Sequence, residues 1–140
     1  MKELSIIVPV YNEENSIEKF IVEVEKNVPP KCDYEIVFCM DPSTDNTENL
    51  VREFSKKDSR VRLISRIDRF GLSSAIKEGC LNARGDIIAV MDSDGQHEVR
   101  SLVSALDYLS NNNEDIVIGS RIFRKDATKT RILDRTSCAL

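Results

Sequence analysis

Two aspartates separated by one residue are the part of this sequence that is most clearly suited to a chemical role. Asp92 and Asp94 flank Ser93 and directly follow the apolar segment D-I-I-A-V-M at residues 86–91. Carboxylates this close repel each other, so both ionise readily only when a cation is present. Mg²⁺ and Mn²⁺ take carboxylate oxygens together with phosphate oxygens. The pair therefore indicates a metal ion that bridges the protein and a diphosphate, although the same residue types also build solvated turns.

Three other residues that follow apolar segments are candidates for a functional role. Asp41 stands where an acidic residue often contacts a nucleoside, whereas Asp45 after it suits a helix cap. Arg121 is interpreted either as a phosphate ligand, through its fork of donors, or as a surface arginine. His97 is the only histidine of the chain, and its place beside Asp94 favours support of a metal site slightly over a role as general base.

Alternating strands and helices must position these residues. Apolar β-branched runs predict strands, and apolar residues at helical spacing predict the helices between them. The predicted strands are Leu4–Val10, Tyr34–Met40, Val61–Ser65, Asp86–Met91 and Asp115–Gly119. The predicted helices cover residues 14–28, 47–57, 71–83 and 99–109. The first and fourth strands are predominantly apolar, so we expect both to be buried on both faces.

This alternation predicts an α/β fold with a mostly parallel, Rossmann-like sheet and right-handed crossovers. Ligands of such sheets bind outside the carboxyl ends of the strands. Polar residues follow four of the predicted strands, at positions 11–13, 41–45, 92–97 and 120–121. We therefore expect four loops to converge on one crevice.

Composition narrows the class of protein. The chain has 140 residues, 41% of them hydrophobic and 31% charged, with a formal net charge of −4, which argues against nucleic-acid binding. Its four cysteines lack metal-ligand spacing and are typical of reduced thiols in the cytosol. No apolar run approaches the ~20 residues needed to cross a bilayer. We expect a cytoplasmic protein, with any membrane contact at the cytosolic face.

Five segments, taken in order, resemble the beginning of a family-2 glycosyltransferase. They are S-I-I-V-P-V-Y-N-E-E, D-P-S-T-D-N-T, G-L-S-S-A-I-K-E-G, G-D-I-I-A-V-M-D-S-D-G-Q-H and I-V-I-G-S-R. The last three are most similar to the polyprenol-phosphate branch, which includes dolichol-phosphate mannosyltransferases. The resemblance implies a GT-A fold and an inverting transfer from a nucleotide-diphosphate sugar, either GDP-mannose or a UDP-sugar. It also implies a polyprenyl phosphate acceptor, which is already a competent nucleophile.

The resemblance assigns roles to individual residues. Asp94 and Arg121 would be catalytic, and Asp92, Asp94 and Gln96 would hold Mg²⁺ or Mn²⁺. The donor-binding residues that it implies are Pro9, Tyr11, Glu13, Asp41, Asp92, Ser93, Gln96 and Arg131. Where the family usually has paired acids at the second strand, this chain has Met40 first, so only Asp41 carries over.

Length is the larger departure from the family pattern, because family catalytic domains run on considerably further. We expect a donor-binding domain over residues 1–121 and a basic tail over residues 122–140 that begins a truncated acceptor region. An alternative is a binding domain without catalysis, which could form a homodimer over the surface left uncovered. A dinucleotide-dependent oxidoreductase is disfavoured, because V-Y-N-E-E and not G-x-G-x-x-G follows the first strand.

Overall fold

The structure, a computed structural model, describes residues 2–112, 114–121 and 130–133. The chain divides into two compact units, Met1–His97 and Glu98–Leu140.

The first unit is a parallel sheet with three helices. Its strands are β1 (Lys2–Val10), β2 (Tyr34–Met40), β3 (Val61–Ser65) and β4 (Gly85–Val90). Its helices are α1 (Ile17–Asn27), α2 (Thr47–Lys57) and α3 (Leu72–Asn82). The strand order is β3-β2-β1-β4, and every pair is parallel. The predicted α/β class with a mostly parallel sheet is therefore confirmed.

The core lies around the two central strands. All seven residues of β2 are buried, as expected for an apolar strand covered on both faces. From α1, the ring of Phe20 meets that of Phe38 edge to face, with centroids 6.1 Å apart. On α3, a Cβ at Gly79 would come within 2.4 Å of Ile7 Cγ2 and 2.6 Å of Cys39 Sγ. Only glycine therefore allows this helix to pack so closely on the sheet.

Strand β4 differs from its prediction. Its residues alternate between partly buried and exposed, and Ile88 and Val90 each keep 45% of their surface exposed. The expectation that this strand is buried on both faces is wrong. Among the strands that the structure describes, β4 pairs with β1 alone and lies at the edge of its sheet. In the first unit, α2 and α3 pack mainly on β1, β2 and β3, so one face of β4 is left without a covering helix.

The second unit contains α4 (Val99–Asn111) and a short antiparallel pair, β5 (Ile118–Arg121) and β6 (Thr130–Leu133). The last predicted strand is thus displaced towards the carboxyl end of the chain, from Asp115–Gly119 to β5. Strand β6 was not predicted, because the pairing of a hairpin is not visible in a short polar and basic segment. No helix in the described part of the chain is both long and apolar enough to cross a membrane.

Candidate functional site

Hydrogen bonds join the loops that follow β1 and β2 at the carboxyl ends of the strands. The N–H of Asn12 donates to Ser43 Oγ at 3.1 Å, and the N–H of Thr44 donates to Asn12 Oδ1 at 2.8 Å. Asn12 has a φ of 49°, in the left-handed region that asparagine tolerates better than most residues. The N–H of Glu14 donates to Asp45 Oδ2 at 3.1 Å. These reciprocal bonds hold the two loops in one arrangement.

Asp45 binds the beginning of α2, but the N-cap position that the sequence suggested for it is held by Asn46, whose side chain makes no cap hydrogen bond. Asp45 Oδ1 accepts hydrogen bonds from the N–H of Thr47 at 3.0 Å and from Thr47 Oγ1 at 2.6 Å, at the first residue of α2. Burial alone would raise the pKa of Asp45, but the bonds from Thr47 and from the N–H of Glu14 outweigh it and lower that pKa. The Oγ1 of Thr47 in turn accepts from the N–H of Glu13 at 2.8 Å.

The aspartate loop, residues 92–97, lies against the beginning of α1. Ser16 Oγ donates to Glu13 Oε2 at 2.8 Å, and the Oγ atoms of Ser16 and Ser93 lie 3.4 Å apart. Ser93 is only 4% exposed. The loops after β1 and β4 are therefore brought together, as the strand-end argument predicts.

The inward position of Ser93 leaves the neighbouring carboxylates accessible. The side chain of Asp92 is 48% exposed, and Asp94 is exposed as well. Asp94 Oδ1 accepts the N–H of Gln96 at 2.8 Å, in a turn where Gly95 has a φ of 81°. Both aspartates are thus presented to solvent from a loop with a defined backbone.

His97 supports the backbone of this loop. Its Nδ1 accepts the N–H of Asp92 at 3.1 Å and lies 3.6 Å from Asp92 Oδ2. A nitrogen that accepts this N–H has its lone pair occupied, so Nδ1 is not available to a substrate proton. The geometry favours support of Asp92 over the role of general base.

The carboxylates of the aspartate loop suit a metal ion that binds together with a phosphate group. In the described residues, no group of three or more His, Cys, Asp or Glu side chains could hold a metal ion. Mg²⁺ commonly binds through one or two carboxylates plus substrate phosphates, without a protein cage. Asp92 and Asp94 supply that number of carboxylates, so the predicted metal residues fit a phosphate-dependent ion.

Asp41 contacts an arginine that sequence reasoning did not single out. Its carboxylate pairs with the guanidinium of Arg66 and accepts the N–H of Gly71 at 2.8 Å. The side chain of Arg66 is 1% exposed, and that of Asp41 is 14% exposed. The available signal was position, since Arg66 directly follows β3 just as Asp41 follows β2. A carboxylate accepts about four hydrogen bonds, so Asp41 retains capacity for a ligand.

The remaining predicted residues are distributed over both units. Pro9 lies within β1 opposite Cys39, and Tyr11 follows that strand with 55% of its surface exposed. The backbones of Arg121 and Arg131 belong to β5 and β6, where Ser120 is paired with Arg131. The side chains of both arginines lie outside the described residues. Their phosphate contacts, and the convergence of their loop with the others, stay predictions.

The sequence is similar to those of known glycosyltransferases over most of its length. The family model described as glycosyl transferase family 2 matches residues 5–137. A dolichyl-phosphate beta-glucosyltransferase of Trichomonas vaginalis is 32% identical over 142 residues, which cover 90% of this chain and 42% of that protein. The dolichol-phosphate mannosyltransferase of Pyrococcus furiosus is 37% identical over 118 residues, which cover 84% of this chain and 33% of that protein.

Solved structures agree on the fold. A mannosyltransferase from Pyrobaculum calidifontis, in complex with GDP-Man and Mn²⁺, matches with a TM-score of 0.69 and 26% identity. The match covers 80% of this chain and 33% of that protein. The expected GT-A fold is therefore confirmed. The chain spans less than half the length of each of these three relatives.

Proposed function

Because the chain belongs to glycosyl transferase family 2, we propose that it forms the donor-binding part of an inverting glycosyltransferase. The donor is a nucleotide-diphosphate sugar, either GDP-mannose or a UDP-sugar, and the acceptor is a polyprenyl phosphate. One observation carries the proposal. The carboxylates of Asp92 and Asp94 are exposed on a loop whose central residue, Ser93, is held next to Ser16 at the beginning of α1.

Asp92, Asp94 and Gln96 would hold Mg²⁺ or Mn²⁺ together with the diphosphate. When bound, such an ion neutralises the charge that develops on the leaving diphosphate. The protein's own contribution is to fix the two carboxylates before the ligand arrives. Asp94 is held by the N–H of Gln96, and the backbone of Asp92 is held by His97. The Mn²⁺ in the structure of the Pyrobaculum mannosyltransferase supports this choice of ion.

The nucleoside would lie over the joined loops after β1 and β2. Tyr11 has an exposed ring that can cover an apolar face of the ligand. Asp41 can accept a hydrogen bond from a base N–H or a ribose hydroxyl with its remaining lone pairs. Pro9 and Glu13 would form the base of this nucleoside pocket. Glu13 is held in place, because its N–H donates to Thr47 Oγ1 and its carboxylate accepts from Ser16 Oγ.

The transfer itself needs little help from a protein base. A phosphate oxygen of the acceptor forms the new bond to the anomeric carbon while the bond from that carbon to the diphosphate breaks, so the configuration inverts. Arg121 and Arg131 would balance charge on phosphate groups. The Trichomonas and Pyrococcus relatives, a dolichyl-phosphate beta-glucosyltransferase and a dolichol-phosphate mannosyltransferase, support a lipid phosphate as acceptor.

A second candidate is a domain that binds nucleotide sugar and metal without catalysing transfer. The chain spans 42% and 33% of the two curated relatives, so transfer is tested separately from donor binding. The two candidates share the donor site and differ only in turnover.

Two measurements test the proposal. Calorimetric titration with GDP-mannose and UDP-glucose, each with and without MnCl₂, should show Mn²⁺-dependent binding of at least one donor. Absence of binding to both donors in the presence of the metal would reject the proposed donor site. A product assay with a polyprenyl phosphate then separates the candidates, since transfer supports the enzyme and binding without transfer supports the binding domain.

A further inference from the structure

Arg66 is a buried cation in contact with several elements of the first unit. Its guanidinium pairs with Asp41, and its Nε donates to Glu78 Oε2 at 3.2 Å. The remaining N–H groups donate to Ser74 Oγ and, at 3.3 Å, to the carbonyl oxygen of Gly71. The side chain is 1% exposed, so nearly all of its donors must be satisfied inside the protein.

These contacts connect the end of β2, the loop of residues 66–71 and the first turns of α3. The N–H of Arg66 also donates to the carbonyl oxygen of Met40 at 2.9 Å, which ties the ends of β3 and β2 together. A buried guanidinium is stable only when carboxylates and further acceptors surround it. Asp41 supplies one carboxylate from the sheet, and Glu78 supplies the other from α3.

The orientation of Asp41 depends on this arrangement. One carboxylate oxygen meets Arg66, and the other accepts the N–H of Gly71. Gly71 is itself held by Arg66 through its carbonyl oxygen, and its φ of 117° is in the region that favours glycine. Both contacts that hold the carboxylate are therefore made by Arg66 or by a residue that Arg66 holds.

We propose that Arg66 is a positioning residue for nucleoside recognition. It holds the carboxylate of Asp41 at the end of β2 and keeps the loop of residues 66–71 against it, without contacting the ligand. The inference rests on the proposed function, in which Asp41 contacts the nucleoside. Because a fixed acceptor distinguishes the hydrogen-bond edges of different bases, Arg66 contributes to base preference as well as to affinity.

Arg62 provides a matched control within β3, the strand that Arg66 directly follows. Its Nη1 donates to Glu35 Oε2 at 2.9 Å and to the carbonyl oxygen of Asn82 at 3.0 Å, and its side chain is 21% exposed. Like Arg66, it pairs with a carboxylate, here that of Glu35 within β2. Glu35, however, lies at the amino end of that strand, away from the loops of the donor site.

The experiment compares Arg66→Lys with Arg62→Lys. A lysine keeps the charge but has no planar fork, so it cannot reproduce several directed bonds. Both variants should unfold at lower temperature than the wild type. In calorimetric titrations with GDP and UDP in MnCl₂, Arg66→Lys should bind its preferred nucleotide about tenfold more weakly, a change within the coupling range of a hydrogen-bonded network. It should also discriminate less between the two bases, whereas Arg62→Lys should keep the affinity and preference of the wild type.

The outcomes separate the two hypotheses. A wild-type protein that binds neither nucleotide refutes the proposed function and the role of Arg66 with it. If the wild type binds, unchanged affinity and base preference in Arg66→Lys overturn the positioning role alone. An equal loss in both variants also overturns it, because binding then follows stability. If Arg66→Lys does not fold, Ser74→Ala tests the positioning role instead, because it removes one contact of the guanidinium. This variant should also bind the nucleotide more weakly than the wild type. Wild-type affinity in Ser74→Ala would count against the positioning role.

Discussion

The Oγ atoms of Ser16 and Ser93 lie 3.4 Å apart, although 77 residues separate them in the chain. This contact joins the residue before α1 to the centre of the aspartate loop. It explains how Asp92 and Asp94 can both be accessible, because Ser93 between them takes the buried position.

Substitution of Ser93 tests this relationship. Ser93→Leu places a large side chain at a position that is 4% exposed, so the aspartate loop must move and Mn²⁺-dependent donor binding should be lost. Ser93→Ala removes only a weak polar contact and should keep affinity within about threefold of the wild type, which corresponds to less than ~1 kcal/mol. Titration of donor in MnCl₂ measures both. Equal affinity of the two variants would show that the buried position of residue 93 does not orient the carboxylates.

Asp94→Asn tests the metal assignment without removing the turn. The asparagine retains an Oδ1 that can accept the N–H of Gln96, so the loop and the thermal stability should be preserved. The lost charge should weaken Mn²⁺-dependent donor binding by at least about tenfold. Asp86→Asn, an exposed aspartate at the other end of β4, is the matched control and should bind like the wild type. Unchanged Mn²⁺ dependence in Asp94→Asn would exclude this residue as a metal ligand.

Glu35 links stability to pH. It is 1% exposed and accepts bonds from Ser5 Oγ at 2.6 Å, from the N–H of Arg84 at 2.7 Å and from Arg62 at 2.9 Å. Burial by itself would raise the pKa of Glu35, but these bonds outweigh it and hold the pKa below its usual value. The folded-state pKa is therefore lower than the unfolded one. The stabilisation is complete above the ordinary glutamate pKa and is lost as pH falls through the folded-state value.

Glu35→Gln should consequently cost about 1.5–3 kcal/mol of unfolding free energy at neutral pH, the usual range for hydrogen bonds to a charged group. The difference from the wild type should shrink as the solution is acidified below about pH 4. Urea unfolding over a pH series measures both quantities, with the exposed Glu53→Gln as control. A difference that stays constant with pH would mean that the charge of Glu35 is not what stabilises the protein.

Gly79→Ala tests the close packing of α3 on the sheet. Alanine normally favours a helix over glycine by about 1 kcal/mol. Here the added Cβ would lie 2.4 Å from Ile7 Cγ2, inside a buried cluster, so we expect a net loss of about 1–3 kcal/mol in chemical unfolding. Ser73→Ala, at an exposed position of the same helix, should change stability by less than about 0.5 kcal/mol. Stabilisation by Gly79→Ala would show that the helix can move away at little cost.

Much of the fold could be predicted because it is encoded locally. Strands β2 and β3 and helix α2 have the predicted bounds, since runs of apolar residues and helical spacing are visible over a single element. The collection of Glu13, Asp41 and Asp92 at the carboxyl ends of strands also follows from the sequence. Once the strands are parallel, the segments that follow them share one edge of the sheet.

Tertiary structure decided what depends on partners distant in the chain. The exposed face of β4 follows from its place beside β1 at the edge, and strand order is not a local property. The pairing of Asp41 with Arg66 and the contact of Ser16 with Ser93 join residues that are 25 and 77 positions apart. Residue types and local spacing determined which groups carry charge and which segments form strands and helices. Which groups meet was decided by the packing of the whole sheet, because burial and contact arise only when separate elements come together.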